Sequence, residues 1–274
     1  MKMAPSSVTI NADDFGISPG VNRAIIECYT RGNLNTTSIL ANGRFFDEAI
    51  QLRMAHCPEL PVGMHINLCY GQSVLSAMEI PLLVDAAGTF KYGFSGLLLR
   101  SLFPTRAWRE QITKEIQAQC AKVVATGIQP QHIDGHRHVQ LIPVVCHAVT
   151  AAMRTYEITR LRVINEPLWR TLNIAWQTRT LFPLSGILKY IALRILTLCC
   201  GVKSTVRFFS ILFTCALQPQ LLEAILKTTE LVEVMVHPGL PDLDREIMRG
   251  DAEYPGLMAH YRDQERLMLL TEQR

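Results

Sequence analysis

The chain has 274 residues, 49% of them hydrophobic, with 27 Lys and Arg against 24 Asp and Glu. That length fits one large domain, most naturally an α/β barrel, or two small ones, with enough apolar residues for a substantial core. A net charge of +3, with no basic run interleaved with aromatics, argues against nucleic acid as the main partner.

The opening Met1-Lys2-Met3-Ala4-Pro5 lacks the apolar stretch of a secretory signal. Eight scattered cysteines without a Cys-x-x-Cys pair read as reduced, mostly buried thiols of a cytoplasmic protein rather than a disulfide framework or a thiolate metal site. Ser6 to Ile10 is β-branched and uncharged and reads as a short buried strand. It runs directly into Asn11-Ala12-Asp13-Asp14-Phe15-Gly16. Two adjacent carboxylates at a strand tip are either a solvated turn or a site. Consecutive strand residues face opposite ways, so in a site one would reach a metal and the other a substrate water.

Ser18-Pro19-Gly20 caps a helix over Val21 to Tyr29. Thr36 to Ala41 reads as a second strand, Phe45 to Ala55 as a second helix, and Pro61 to Leu68 as a third strand with His65 near its end. Residues 69–107 carry Gly and Pro and read as a loop excursion over one face. Trp108 to Thr126 is a long amphipathic helix, Gln131 to Asp134 a short strand, Pro143 to Thr155 a helix and Leu161 to Ile164 a strand. A helix over Gln220 to Lys227 precedes the strand Leu231 to His237, and the tail, Gly256 to Leu270, reads as a polar surface helix. Alternating strands and helices imply a parallel sheet with helices outside, either a barrel or a doubly wound sheet, in one domain over residues 1–274.

The polar chemistry falls at strand ends. Asp13 and Asp14 follow the first strand, His65 ends the third, His237 ends a late one before Pro238-Gly239, and His132, Asp134, His136 and His138 crowd a fourth. In a barrel those ends converge on one mouth. Two neutral imidazoles with a carboxylate suit a hydrolytic divalent site with open positions for water and a substrate oxygen. Any single histidine here also reads as a hydrogen-bonded structural residue. His237, between an apolar strand and a turn, suits a general acid.

Asn-Ala-Asp-Asp-Phe-Gly at 11–16, Gly-Met-His-Ile-Asn-Leu at 63–68, His-Ile-Asp-Gly-His-Arg-His at 132–138 and Val-His-Pro-Gly at 236–239 together resemble the YdjC-like carbohydrate deacetylases. These include chitooligosaccharide deacetylase and hopanoid-associated homologues. The resemblance implies a distorted, TIM-like (β/α) barrel related to the polysaccharide deacetylases. It implies a divalent ion on Asp14, His65 and His136, with Asp13 as base and His237 as general acid. The activity it implies is removal of an N-acetyl group from an amino sugar. Asn67, Asp134, Arg137 and His138 are then expected around these groups, touching substrate or supporting ligands. Two imidazoles favour zinc or another transition metal, whereas the family resemblance points to magnesium. Three positions depart from the family pattern: Arg137 and Gln140 interrupt a histidine-rich tract, and Gly135 replaces a small polar residue, which is expected to loosen that loop.

Leu181 to Gly201 is strongly apolar but interrupted by Lys189 and Arg194. A spanning helix wants about 20 mostly apolar residues with few charges, so the segment reads as a barrel-packing or dimer-interface helix, or as an interfacial helix at the inner face of a membrane. Competing functions are a barrel metalloenzyme of another class, a phosphoesterase or sugar isomerase, and a silent carbohydrate- or lipid-binding relative. Acetate release separates them from a deacetylase.

Overall fold

The computed structural model describes residues 8–180, 184–214, 216–227 and 230–271. Seven parallel strands form one sheet: β1 (Val8–Phe15), β2 (Thr36–Ile39), β3 (Val62–Ile66), β4 (His132–Gly135), β5 (Arg160–Leu161), β6 (Arg207–Phe209) and β7 (Val232–Val236). Their order, β5-β4-β3-β2-β1-β7-β6, is a cyclic progression broken only between β5 and β6. A doubly wound sheet reverses direction at a switch point; this one goes round, as a barrel does. Asn165, just past β5, spans the break. Its amide donates to the carbonyls of Ser204 and Val206, and its Oδ1 accepts from Phe208 N at 2.9 Å. One side chain thus does for the β6 edge what a missing ladder would do, and the sheet closes as a distorted TIM-like half-barrel.

Parallel pairing needs crossovers, and helices supply them. They are α1 (Pro19–Arg31), α2 (Phe46–His56), α3 (Phe94–Arg100), α4 (Arg106–Val124), α5 (Pro143–Thr155), α6 (Leu168–Thr178), α7 (Leu184–Cys200), α8 (Pro219–Leu226), α9 (Pro241–Ile247), α10 (Tyr254–Leu257) and α11 (Tyr261–Leu270). Ser18 caps α1 by accepting from Val21 N. β2, β3, β4 and β7 are buried along their whole length, as strands covered on both faces must be.

Three expectations change. The first strand does not stop at Ile10 but runs through the Asn-Ala-Asp-Asp motif to Phe15; Ser6 and Ser7 lie outside the described residues. The 69–107 excursion carries α3 and two antiparallel bridges, Gln72 to Thr89 and Val84 to Phe90, and sends Ile80, Leu83 and Phe90 into the core. The tail is not a surface helix, because α11 buries Arg262, Glu265, Met268 and Leu269. Its polarity was misleading because the charges point inward to partners. The apolar stretch predicted at 181–201 is α7, with residues 181–183 outside the described ones. Among the described residues no helix is long and apolar enough to cross a membrane.

Candidate active site

Asp13 and Asp14 end up in the same buried site because β1 breaks its own alternation. Ala12 pairs with Thr37 and Phe15 with Ile39, so β1 carries one residue more than β2 over that interval, a bulge. Asp14 absorbs it at φ 70, a left-handed conformation that Asp tolerates better than most residues, and Gly16 follows at φ 97. Simple two-residue alternation would have sent one carboxylate away.

Asp14 Oδ1 lies 3.0 Å from His136 Nδ1 and 3.5 Å from His65 Nε2, and all three groups are buried. Ligand atoms about 2.0–2.1 Å from a shared ion stand roughly 3.0–3.5 Å apart, and the two distances from Asp14 Oδ1 fall in that range. The donor atoms of Asp14, His65 and His136 all fall within 4.8 Å of one another. Asp14 Oδ2 accepts from Arg262 at 2.8 Å, which leaves Oδ1 for an ion. Burial works against ionised Asp14, yet hydrogen bonds from His136 and His65, with Arg262 nearby, hold its pKa well below the usual carboxylate range.

His65 Nδ1 lies 2.7 Å from Asp134 Oδ1. A carboxylate on Nδ1 fixes the tautomer and aims the Nε2 lone pair at the ligand cluster, the usual support for a metal histidine. Burial opposes charge on His65, but Asp134 and Asp14 outweigh it and push its pKa up to about 10. A pocket that draws a proton onto a buried imidazole is one in which a divalent cation is favoured. His136 opens a 3-10 turn, His136–Leu141, in which Arg137 and His138 take φ 53 and 61. The turn is tight rather than loosened by Gly135: a Cβ there would meet Gln140 Oε1 at 2.7 Å and Ile66 O at 3.0 Å.

Asp13 has a different partner. Arg162 donates through both terminal nitrogens to its two oxygens, at 2.7 and 2.8 Å, and Asn11 Nδ2 donates to Oδ1 at 2.8 Å. Arg162 also reaches Asp134 Oδ2 at 2.7 Å and Glu233 Oε1 at 2.6 Å, so one buried guanidinium ties β1, β4 and β7 together from the end of β5. Burial raises the Asp13 carboxyl, and Arg162 more than reverses it, holding it far below its ordinary value.

The remaining expected residues are spread around this centre. His237 is partly buried, donates its backbone N–H to Glu265 Oε2 at 2.6 Å and stacks edge-on with Tyr261. Burial brings its pKa down to about 4 against the pull of Asp13 and Asp14. Asn67 spends its side chain on the loop after β3: Oδ1 accepts from Cys69 and Tyr70, and Nδ2 donates to Tyr70 O. Arg137 is exposed and paired with Glu253. His138 packs edge-on against Phe208, and burial keeps it neutral. His132 is fully buried, its pKa brought down to about 3 by burial, and its ring lies over Gly63.

Several site residues were not anticipated. Glu233 carries a signal in hindsight, a single charge inside the apolar strand β7 and expensive unless paired, whereas Arg162 lies just past β5. Arg262 comes from the tail, and Glu253 contacts His136 Nε2 at 3.3 Å while Asp251 accepts from the Tyr70 hydroxyl at 2.8 Å. No local pattern marks those three.

The family model for YdjC-like proteins matches residues 7–274. The chain belongs to the YdjC-like family. Similar relatives of this YdjC-like chain include proteins named carbohydrate deacetylase. The one from Thermoanaerobacter pseudethanolicus is 40% identical over 131 residues, 48% of this chain and 50% of the relative. That from Brevibacillus brevis is 35% identical over 149 residues, 54% and 56% respectively. The chain spans about half the length of the relatives it matches. Its fold is similar to the crystal structure of a putative cellobiose-phosphate cleavage protein from Enterococcus faecalis, with TM-score 0.70 and 24% identity over 98% of this chain and 92% of that one.

Proposed function

We propose that this YdjC-like protein is a metal-dependent hydrolase that removes an N-acetyl group from an amino sugar, in an oligosaccharide or joined to a lipid. The observation that carries the proposal is the buried cluster of Asp14, His65 and His136 at metal-ligand spacing, with an ionised Asp13 beside it. The deacetylase names of its relatives point to the same chemistry.

Asp14, His65 and His136 would hold a divalent ion, zinc or magnesium, which when bound would supply Lewis acidity towards a water and the acetyl carbonyl. Asp13 acts as base. Arg162 keeps it ionised and oriented, and its Oδ2, bonded once to Arg162, retains a lone pair for a water proton. Asp134 positions His65, and Arg162 positions Asp13. His237, neutral near pH 7 and in the field of both aspartates, relays to the departing amine the proton that Asp13 takes from water. Buried free thiols such as Cys28, Cys57 and Cys120 suit a reducing compartment, so the cytoplasm is the proposed location.

Incubation with a panel of N-acetylated sugars and glycolipids under several metals, read as released acetate, tests the activity. Asp13→Asn should lose about 10²–10⁴-fold in turnover and still bind metal, whereas His65→Ala and His136→Ala should lose both. Full metal occupancy in His136→Ala would sink the ligand assignment. Sugar binding without acetate release under any metal would make the protein a silent relative.

A further inference from the structure

The two histidines of the metal cluster are held in opposite senses. His65 turns Nε2 towards Asp14 Oδ1, at 3.5 Å, and gives Nδ1 to Asp134 at 2.7 Å. His136 does the reverse. Its Nδ1 lies 3.0 Å from Asp14 Oδ1, and its Nε2 lies 3.3 Å from Glu253 Oε1. A neutral imidazole that binds a cation through one nitrogen carries its proton on the other, and that N–H needs an acceptor. For His65 the acceptor is Asp134; for His136 it is Glu253.

Glu253 is fastened where it stands. It lies in the segment between α9 and α10, and Asp251 Oδ1 accepts both the Glu253 backbone N–H and the Tyr70 hydroxyl, each at 2.8 Å. Tyr70 is anchored in turn by Asn67, and its ring lies against His136 with centroids 5.7 Å apart. Arg137 supplies the counter-charge, donating to the same Oε1 that meets His136. The Glu253 side chain is only 14% exposed, and a carboxylate mostly out of water is tolerable beside such a cation. The arginine next in sequence to a ligand thus holds the carboxylate that holds the ligand.

Glu253 is not itself placed as a ligand. Among the described residues the cluster at ligand spacing is Asp14, His65 and His136, and Glu253 joins no such cluster. Coordination of His136 through Nε2 would turn the ion towards Glu253 and leave the Nδ1 proton on Asp14 Oδ1, the oxygen that His65 also faces. Coordination through Nδ1 leaves that oxygen to the ion. We propose that Glu253 is the positioning residue of His136: by accepting the Nε2 proton it fixes the tautomer in which Nδ1 faces the ion, and Arg137 keeps Glu253 there. The inference rests on the metal assignment made above and adds to it which nitrogen each histidine presents.

Zinc is the probe, and no readout needs a substrate. Long-range proton–nitrogen NMR spectra of the zinc-loaded wild type, labelled in histidine and assigned by the signals lost in His136→Ala, should show His136 protonated at Nε2 and coordinated at Nδ1. His65 should show the reverse. In competition with a chelating indicator, Glu253→Ala should bind zinc about 10–100-fold more weakly than wild type. Glu253→Gln, whose amide oxygen still accepts the proton, should lose less. Arg137→Ala should weaken zinc binding in the wild type and change nothing in the Glu253→Ala background. His136 coordinated through Nε2 would overturn the proposal, as would unchanged affinity in Glu253→Ala, equal losses in the Ala and Gln variants, or additive losses at 137 and 253. Should a variant not fold, the wild-type spectrum still decides. A wild type that binds no zinc would remove the metal assignment and this inference together; binding that needs His136 but not Glu253 would remove this inference alone.

Discussion

Arg162→Met should damage this protein more than any other single change to its charged core. The guanidinium is 1% exposed and bonds Asp13, Asp134 and Glu233, themselves 4, 0 and 4% exposed. Removing one partner of a buried pair costs about 3–5 kcal/mol. Here three carboxylates lose their common cation, so the upper end, about 5 kcal/mol, is expected near pH 8. For a chain of this size roughly 2 °C accompanies each kcal/mol, giving a fall in Tm of about 10 °C. The loss depends on pH in a definite direction. Arg162 holds Asp13 below its unfolded pKa, so its stabilisation is present above about pH 4 and is lost as pH falls further. Without the arginine, burial acts on Asp13 against only the weaker pull of His65 and His237 and favours its neutral form. The deficit relative to wild type should therefore shrink from pH 8 to pH 5. Arg162→Lys keeps a charge but not the planar fork that serves three partners, and should recover less than half of the loss. Urea unfolding of the three proteins at both pH values, with chelator present so that metal binding does not contribute, measures this. A loss below about 1 kcal/mol at pH 8, or an equal loss at pH 5, would refute the reasoning.

Glu166, buried at the end of the segment after β5, accepts from Ile211 N, and burial pushes its carboxyl up to about 7. The folded state then holds a proton that the unfolded chain releases near 4.5, so stability falls as pH rises from about 4.5 to 7, by about 3 kcal/mol at 1.36 kcal/mol per pH unit. Glu166→Gln should match the wild type near pH 4.5 and exceed it at pH 8; parallel pH curves in thermal melts would contradict this. Gly63→Ala would set a Cβ 2.3 Å from the His132 ring, an overpacking cost of about 1–3 kcal/mol. Pairing it with His132→Ala in a double-mutant cycle should return a coupling above about 1 kcal/mol, and strict additivity would show that the ring simply moves. Asn165→Ala removes three bonds to the β6 edge and strands the Phe208 N–H, at a cost of about 2–3 kcal/mol by urea unfolding. Asn165→Asp, which faces two carbonyls with a carboxylate, should be at least as damaging, and a milder Asp variant would disprove the closure role.

Much of the molecule was legible in the chain. Strand and helix alternate in sequence, so the parallel sheet could be read from hydrophobic period, and α5 lies at the predicted Pro143 to Thr155. The residues brought together at the centre, Asp13, Asp14, His65, Asp134 and His136, all sit at strand ends, where chemistry is expected in this architecture. β6 escaped because three residues, Arg207–Phe209, are too few to show a period.

Tertiary structure decided the rest. Composition and order settled that carboxylates and imidazoles would collect at one mouth, because strand direction is a local property repeated seven times. Which atom meets which was settled by features without a local signature. The bulge at Asp14 turned two alternating carboxylates into one site, and a cyclic strand order brought Arg162 across the barrel to Asp13. A tail that looks like a surface helix delivers Arg262 to Asp14. A buried charge is tolerable only beside its counter-charge, and the partners here stand 149 and 248 residues apart; only the folded chain brings them within 3 Å.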